Sequence, residues 1–497
     1  MPSPSPSPSS KVTKLTNCRL LKGESLITQD LWVSSSTGKI IQSQEAFYAQ
    51  FCVPDETIDL GGRILSPGFI DAQLNGAFGF DFASIPEDTT DTNTYAKEFR
   101  RINGLLVKTG VTSYLPTITS SRPEVYHHVS PRRNLHDGTH ANDLVQALPF
   151  LGPSGANRRA ADGTESLGAH VEGPFLAPTK NGIHPLPLLL APKSNDLTSL
   201  ADCYGASNLL GNVRLITAAP ELPHMTSLIP TLTSPPHNII FSIGHTESTY
   251  EDAAAAITAG ATMITHLFNA MLPLHHRNPG IFGLLGTTPS TTPPPTPIAT
   301  TSPTPTLKPI PQRPYFGIIA DSIHLHPTTI TLAYNAHPSG LILVTDAMHL
   351  VGLPDGRYAW NGDHIIKSGI HLRLESDDKI AGSSITLVEC VSNFLNWTGC
   401  SVAQALKAVT ETPAKMLGVH EAKGGLEGGQ DADLCVLDVV VEADGRKRIV
   451  VDEVWKFGVR VFERGREGAG EERNTEMEMQ KESQRGPADA IGERELM

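Results

Sequence analysis

The chain has 497 residues, 39% of them hydrophobic, and a formal net charge of −13. That length suits one large catalytic domain with a smaller companion, or two to three ordinary domains. The acidic balance argues against a nucleic-acid binder, which needs a basic face. No apolar run reaches the roughly 18 residues of a membrane span.

The opening "MPSPSPSPSS" has no apolar core, so it is not a secretory signal, and residues 1–11 are expected to be disordered. Cys18, Cys52, Cys203, Cys390, Cys400 and Cys435 are scattered without a CxxC. They read as free thiols in a reducing compartment, so a cytoplasmic location is expected. Residues 12–65, including "VTKLTNCRLLKGESLITQDLWVSSSTGKIIQ", alternate like β-strands with turns near Gly23 and Gly38.

From residue 66 to 354 a different pattern repeats. Short apolar runs end in a polar residue and precede a helix-like stretch. Eight runs carry it: "RILSPGFIDAQLN", "GVTSYLPT", "SLGAHVEG", "VRLITAAPE", "NIIFSIGHT", "ATMITHLFN", "YFGIIADSIH" and "LILVTDA". "TYAKEFRRINGLLVKTG" and "ESTYEDAAAAITAG" read as helices ending at Gly110 and Gly260. Eight strand–helix units predict an α/β fold, a (β/α)8 TIM-like barrel. Its site lies at the C-terminal ends of the strands. An open doubly wound sheet explains the alternation equally well, but not so many polar strand ends.

Two stretches interrupt the pattern. Pro131–Thr164 is rich in His, Arg, Gly and Asn and reads as a loop. Residues 287–314, "TTPSTTPPPTPIATTSPTPTLKPIPQRP", are too proline-dense for helix or sheet and are expected to be a disordered insert. After the barrel, 355–390 is expected to be a barrel-associated substrate loop, 391–419 a helical return segment and 420–462 a second β-segment. The two β-segments are expected to form one small sandwich. The charged stretch 463–497 is expected to be disordered.

The chemistry-bearing residues sit at the strand ends. Glu172 closes a buried run in "AHVEGPF" and reads either as a loop cap or as a cation ligand. His245 in "IGHTEST" and His266 in "THLFNAM" end the next two relevant runs. Alone, each histidine is more often a satisfied polar residue. One carboxylate and two imidazoles on three strand ends give three ligands with an open position, the layout of a catalytic divalent site. Asp346 in "LVTDAMHL" reads as a helix N-cap or, beside such a site, as the proton acceptor for a water whose pKa a metal lowers from about 15.7 to roughly 7.

The motifs "PGFIDAQLNG", "HVEGPFL", "GHTEST", "THLFNAM", "HRNPG", "ADSIHLHP", "VTDAM" and "AGSSITL", in this order, resemble the N-acetylglucosamine-6-phosphate deacetylase family of the amidohydrolase superfamily. "GGLEGGQDADLCVLD" is similar to that superfamily's closing β-segment. The resemblance covers most of the chain outside the termini and the two loops. It implies hydrolysis of the acetamide of N-acetyl-D-glucosamine 6-phosphate, in amino-sugar catabolism, by one firmly held divalent ion on Glu172, His245 and His266. Zn2+ is the expected ion, with Fe2+ or another divalent ion as alternatives. Asp346 then moves the proton from water to the departing amine.

Many amidohydrolases carry His-x-His on the first strand, where this chain has Gln73 and Asn75. Neutral amides are poor ligands for such metals. The two either hydrogen-bond around the site or merely satisfy backbone groups. By resemblance, Arg277 binds phosphate, although the residues alone allow a surface arginine. Asn269 and Ala270 touch the phosphate or sugar. His324 binds the sugar or the amide carbonyl and helps hold the oxyanion. Ile183 and His184 line the substrate, and Ile380, Ala381, Gly382 and Ser383 contact the sugar ring. The implied partner is a phosphorylated amino sugar, with no nucleic acid and no membrane, and the implied assembly is a homodimer. Two departures stand out: Ser322 replaces a common glycine, and His275 and His276 precede Arg277. Two alternatives remain, a cyclic amidase or deaminase of the same superfamily and a non-catalytic scaffold on the same fold. The first is disfavoured by Gln73 and Asn75, the second by the retention of Glu172, His245, His266 and Asp346.

Overall fold

The structure is a computed structural model and describes residues 11–41, 53–84, 92–127, 146–287, 310–360 and 362–465. Residues 1–10 of the expected disordered N-terminus, most of the tail, the bulk of the proline-rich insert, residues 131–145 and Cys52 lie outside the described residues, while Lys11 is described and pairs with Glu56.

Eight parallel strands form the barrel: β1 (Phe69–Leu74), β2 (Val111–Thr119), β3 (Ala169–Glu172), β4 (Val213–Ala218), β5 (Ile240–Ile243), β6 (Met263–Ile264), β7 (Tyr315–Ile319) and β8 (Leu341–Val344). Each pairs in parallel with the next, from β1 through β8. The ring closes at the end where β1 and β8 finish. Asp346 N donates to Gln73 O and Asn75 N to Ala347 O, each at 2.9 Å. The runs are almost wholly buried because helices cover their outer faces and side chains fill the lumen. The open sheet is thereby ruled out.

The helices obey their sequence signals. α1 (Thr92–Leu106) runs through a short 3-10 turn to Gly110, at φ 92°. A Cβ there would meet the Phe69 ring at 2.9 Å, so the chain can turn into β2 only with glycine. α2 (Tyr250–Ala259) starts with a capping box between Thr249 and Asp252. α3 (Pro327–Ala336) follows β7, and α4 (Leu387–Thr398) carries a second capping box, Thr386 with Glu389.

The sandwich joins both ends of the chain. Leu434–Val441 lies antiparallel against Ile64–Pro67, with Leu434 opposite Pro67. Its core includes Leu15, Leu20, Val33, Leu65, Leu434, Val436 and Trp455. Among the described residues no helix is long and apolar enough to cross a membrane.

Two boundaries shift. The segment expected to be a substrate loop contains a three-stranded antiparallel sheet, Gly356–Trp360, Asp363–Ser368 and His371–Leu374. Its strands alternate buried and exposed positions over Met348, Leu350, Ile365 and Leu372, and the adjacent pair Ile365–Ile366 hides that period in the sequence. Ile310, placed by the sequence in the insert, is fully buried in the barrel core, so folded chain reaches further into that segment than expected.

Candidate active site

Glu172 is the last residue of β3, and His245, His266 and Asp346 each lie two residues past the ends of β5, β6 and β8. The last three have left-handed backbones, at φ 48°, 28° and 46°. Such conformations cost a non-glycine residue about 1–3 kcal/mol and gather at functional sites. Here the strand direction breaks and each side chain swings over the barrel mouth.

The four expected groups meet. His266 Nε2 lies 2.9 Å from Glu172 Oε1, His245 Nε2 lies 3.3 Å from the same oxygen, and the two ring nitrogens are 3.1 Å apart. All three side chains are buried, and no lysine or arginine among the described residues bonds to them. Burial opposes the charge of Glu172, but the hydrogen bond from His266 and the adjacent imidazole of His245 outweigh this and hold the carboxyl well below the usual range. The donor set fits a divalent cation. His245 Nδ1 donates to Lys180 O at 2.7 Å, which leaves Nε2 as a lone pair facing Glu172 and His266. His266 Nδ1 is buried without a partner.

Gln73 and Asn75 do more than satisfy backbone. Gln73 Nε2 donates to Glu172 Oε1 at 3.0 Å and to Asp346 Oδ1 at 3.1 Å, and Asn75 Nδ2 donates to Asp346 Oδ1 at 2.8 Å. Gln73 therefore bridges the two carboxylates and Asn75 adds a second donor to Asp346, at the place where imidazoles would seat a further cation. Burial, reinforced by the Glu172 charge, pushes Asp346 up to about 6, so it can hold a proton near neutrality. Asn75 Oδ1 is buried and unbonded.

His184 belongs to the same cluster. Its ring lies edge-on to His245 with centroids 4.6 Å apart, and ligand atoms of Glu172, His184 and His245 lie within 4.8 Å of one another. Ser120 N donates to His184 Nδ1 at 3.1 Å. A backbone N–H can only donate, so Nδ1 is the bare nitrogen and the ring proton sits on Nε2. Burial, then the charge of His245, lowers its pKa to about 3, so the ring stays neutral.

A cavity of about 150 Å³ opens over these groups; Asn75, Ile183, His184, Asn269, Ala270, His324, Ile380 and Gly382 line it. His324 Nδ1 is 2.6 Å from the buried carboxylate of Asp321, whose other oxygen accepts the N–H groups of Ile323 and His324. The expected sugar-contacting stretch is brought in only partly. Ala381 is buried in the core under the small sheet, and Ser383 Oγ donates to Thr345 O at 2.5 Å. Arg277 is exposed and does not line the cavity.

Sequence reasoning missed Ser120, which sets the His184 tautomer, and the packing of Met348 against Gly382. Neither carries a local signal, since each matters only through a residue distant in the chain.

Residues 237–461 match the Amidohydrolase family, which suggests a divalent metal. The chain is 40% identical over 427 residues to N-acetylglucosamine-6-phosphate deacetylase of Mus musculus, covering 86% of this chain and 92% of that protein. It is 39% identical over 428 residues to the Homo sapiens enzyme of the same name, with the same coverage. Among solved structures, N-acetylglucosamine-6-phosphate deacetylase from Pasteurella multocida superposes with a TM-score of 0.66 at 26% identity, over 90% of this chain and 99% of that one.

Proposed function

The chain belongs to the N-acetylglucosamine-6-phosphate deacetylase family, and on that premise we propose that it hydrolyses the acetamide of N-acetyl-D-glucosamine 6-phosphate to D-glucosamine 6-phosphate and acetate. The observation that carries this reading is the convergence of Glu172, His245 and His266 with Asp346 over one barrel mouth.

Glu172, His245 and His266 would hold the divalent ion, with Zn2+ the best fit to two imidazoles and a carboxylate and Fe2+ the main alternative. Such an ion supplies Lewis acidity, which acidifies a water and polarises an amide carbonyl. Asp346 takes the proton of the attacking water on Oδ2, because Oδ1 is committed to Gln73 and Asn75. It then returns that proton to the departing amine, the two-way task of a carboxyl held at the cavity by Gln73 and Asn75. The oxyanion needs a fixed donor. The family resemblance implies that task for His324, but His184 fits it better, since its Nε2–H is set by Ser120 and its ring packs on His245. His324, braced by Asp321, contacts the sugar portion. The apolar Ile183 and Ile380 side chains give the cavity its dry wall.

Arg277 follows His275 and His276 on the exposed segment after Ala270 and anchors the phosphate. A homodimer is part of the same reading and rests on the family. A cytoplasmic location agrees with the free thiols of Cys18, Cys203, Cys390, Cys400 and Cys435.

Acetate release from the phosphorylated and unphosphorylated sugars, with metal content measured alongside, tests the assignment. Asp346→Asn is expected to lower kcat by about 10²- to 10⁴-fold while metal is retained; full activity in that variant would refute the role. Arg277→Ala is expected to abolish the preference for the phosphorylated sugar.

A further inference from the structure

Glu221 stands three residues beyond the end of β4, level with the metal-site residues, yet its carboxylate faces the turn that follows His245. Oε2 accepts hydrogen bonds from Thr246 Oγ1 at 2.5 Å and Ser248 Oγ at 2.8 Å, and Oε1 accepts from Glu247 N at 2.6 Å. None of these donors is cationic. Thr246 and Ser248 are fully buried, so without Glu221 their hydroxyls would lose a buried acceptor. Ser248 N also donates to Thr246 Oγ1 at 2.9 Å, so the three residues wrap around one carboxylate.

That wrapped turn begins at a strained residue. His245 has φ 48°, and its carbonyl and Nδ1 are tied to Ala177 N and Lys180 O at 2.9 and 2.7 Å. The 177–180 segment therefore clamps one side of His245, and the Glu221 brace fixes the chain on the other. Thr246 N further donates to Ala270 O at 3.0 Å, which docks the same turn on the segment that follows His266. One carboxylate thus restrains the backbones of both histidines. We infer that Glu221 is a positioning residue that holds His245 in its strained geometry and so raises the affinity of the site for its divalent ion. The inference rests on the reading that His245 is a metal ligand.

The affinity of the full chain for Zn2+ in competition with a chromophoric chelator tests it, with the melting temperature of each metal-free variant measured in parallel. Partners that orient a ligand contribute about 10- to 100-fold in metal affinity, and Glu221→Ala is expected to lose that much. In Glu221→Gln the carbonyl keeps both hydroxyl donors but the amide cannot accept from Glu247 N, so a smaller loss of roughly 3- to 10-fold is expected, and Ser248→Ala should match it. His245→Asn should lose more than about 100-fold. Wild-type Zn2+ affinity in both Glu221→Gln and Ser248→Ala overturns the inference, and these two decide the matter if Glu221→Ala does not fold. Wild-type affinity in His245→Asn instead overturns the ligand assignment beneath it.

Discussion

The barrel holds two buried clusters of charge, one at each end of β2. At the mouth, beside Thr119, Glu172 meets His245 and His266. At the base, beside Thr112, ligand atoms of Glu165, Asp431 and Asp433 lie within 4.8 Å of one another, and by donor geometry alone they too are a candidate cation site. The difference lies in who supplies the cation. Lys423 Nζ bonds Glu165, Asp431 and Asp433, the latter two at 2.8 Å. Lys456 Nζ lies 2.6 Å from Glu165 and 2.7 Å from Asp433 and also donates to Thr112 O. Arg158 and Lys39 complete Asp431, and Phe457 lies beneath Arg158, Lys423 and Lys456 at 4.8, 5.3 and 4.2 Å. The base carries its own counter-ions and is finished structure that rivets the sandwich to the barrel. Among the described residues no lysine or arginine bonds the mouth groups, a setting that suits an added cation.

Removing a cation from the base gives the largest expected effect on folding. Lys456→Met leaves Glu165 and Asp433 partly uncompensated in a buried setting, and breaking such a pair costs about 3–5 kcal/mol. Urea unfolding should show that loss, while kcat of the folded fraction stays unchanged. A kcat that falls with no loss of stability would merge the two clusters into one functional unit. Stripping the metal should act on the other end. An ion bound at 1,000 times its Kd stabilises by about 4.1 kcal/mol, so a chelator should lower the melting temperature of the wild type. It should do so far less in His266→Asn. Equal shifts in both would mean that the mouth is not where the stabilising ion sits.

The same contrast explains what the sequence disclosed. The mouth was legible because barrel topology requires its residues at strand ends: "HVEG", "GHT", "THLFN" and "VTDA" each place a polar group just past an apolar run. The base was not. Glu165, Lys423 and Lys456 are separated by up to 291 residues and sit inside segments that read only as loop or β-strand. Only the docking of the sandwich brings them together. Within the mouth, residue types were readable but their hydrogen-bond partners were not. The role of His184 depends on the N–H of Ser120, and that of Gln73 on reaching Glu172 and Asp346 together. The small sheet over Met348 is hard to see in the sequence because the adjacent Ile365 and Ile366 break the alternation of its central strand.

The smallest expected effect is on the acid limb of stability. Burial opposes the charge of Asp433, but the ammonium groups of Lys423 and Lys456 outweigh it and hold its carboxyl below the usual range. In the unfolded chain an aspartate titrates near about 3.9. Asp433 therefore contributes stability at pH values above about 4 that is lost as pH falls towards its folded value. In that window the unfolded state binds one more proton than the native state at this position, so stability drops by about 1.4 kcal/mol per pH unit. Asp433→Asn removes that proton difference. Its melting temperature should be lower than that of the wild type at pH 7, because Lys423 and Lys456 lose a partner, yet it should fall less steeply below pH 4. Chelator-treated protein is the material to use, so that release of metal at the mouth does not enter the slope. Parallel acid limbs in variant and wild type would show that the base does not hold Asp433 as the charged partner of its two lysines, and the contrast between a self-neutralised base and a cation-deficient mouth would lose its footing.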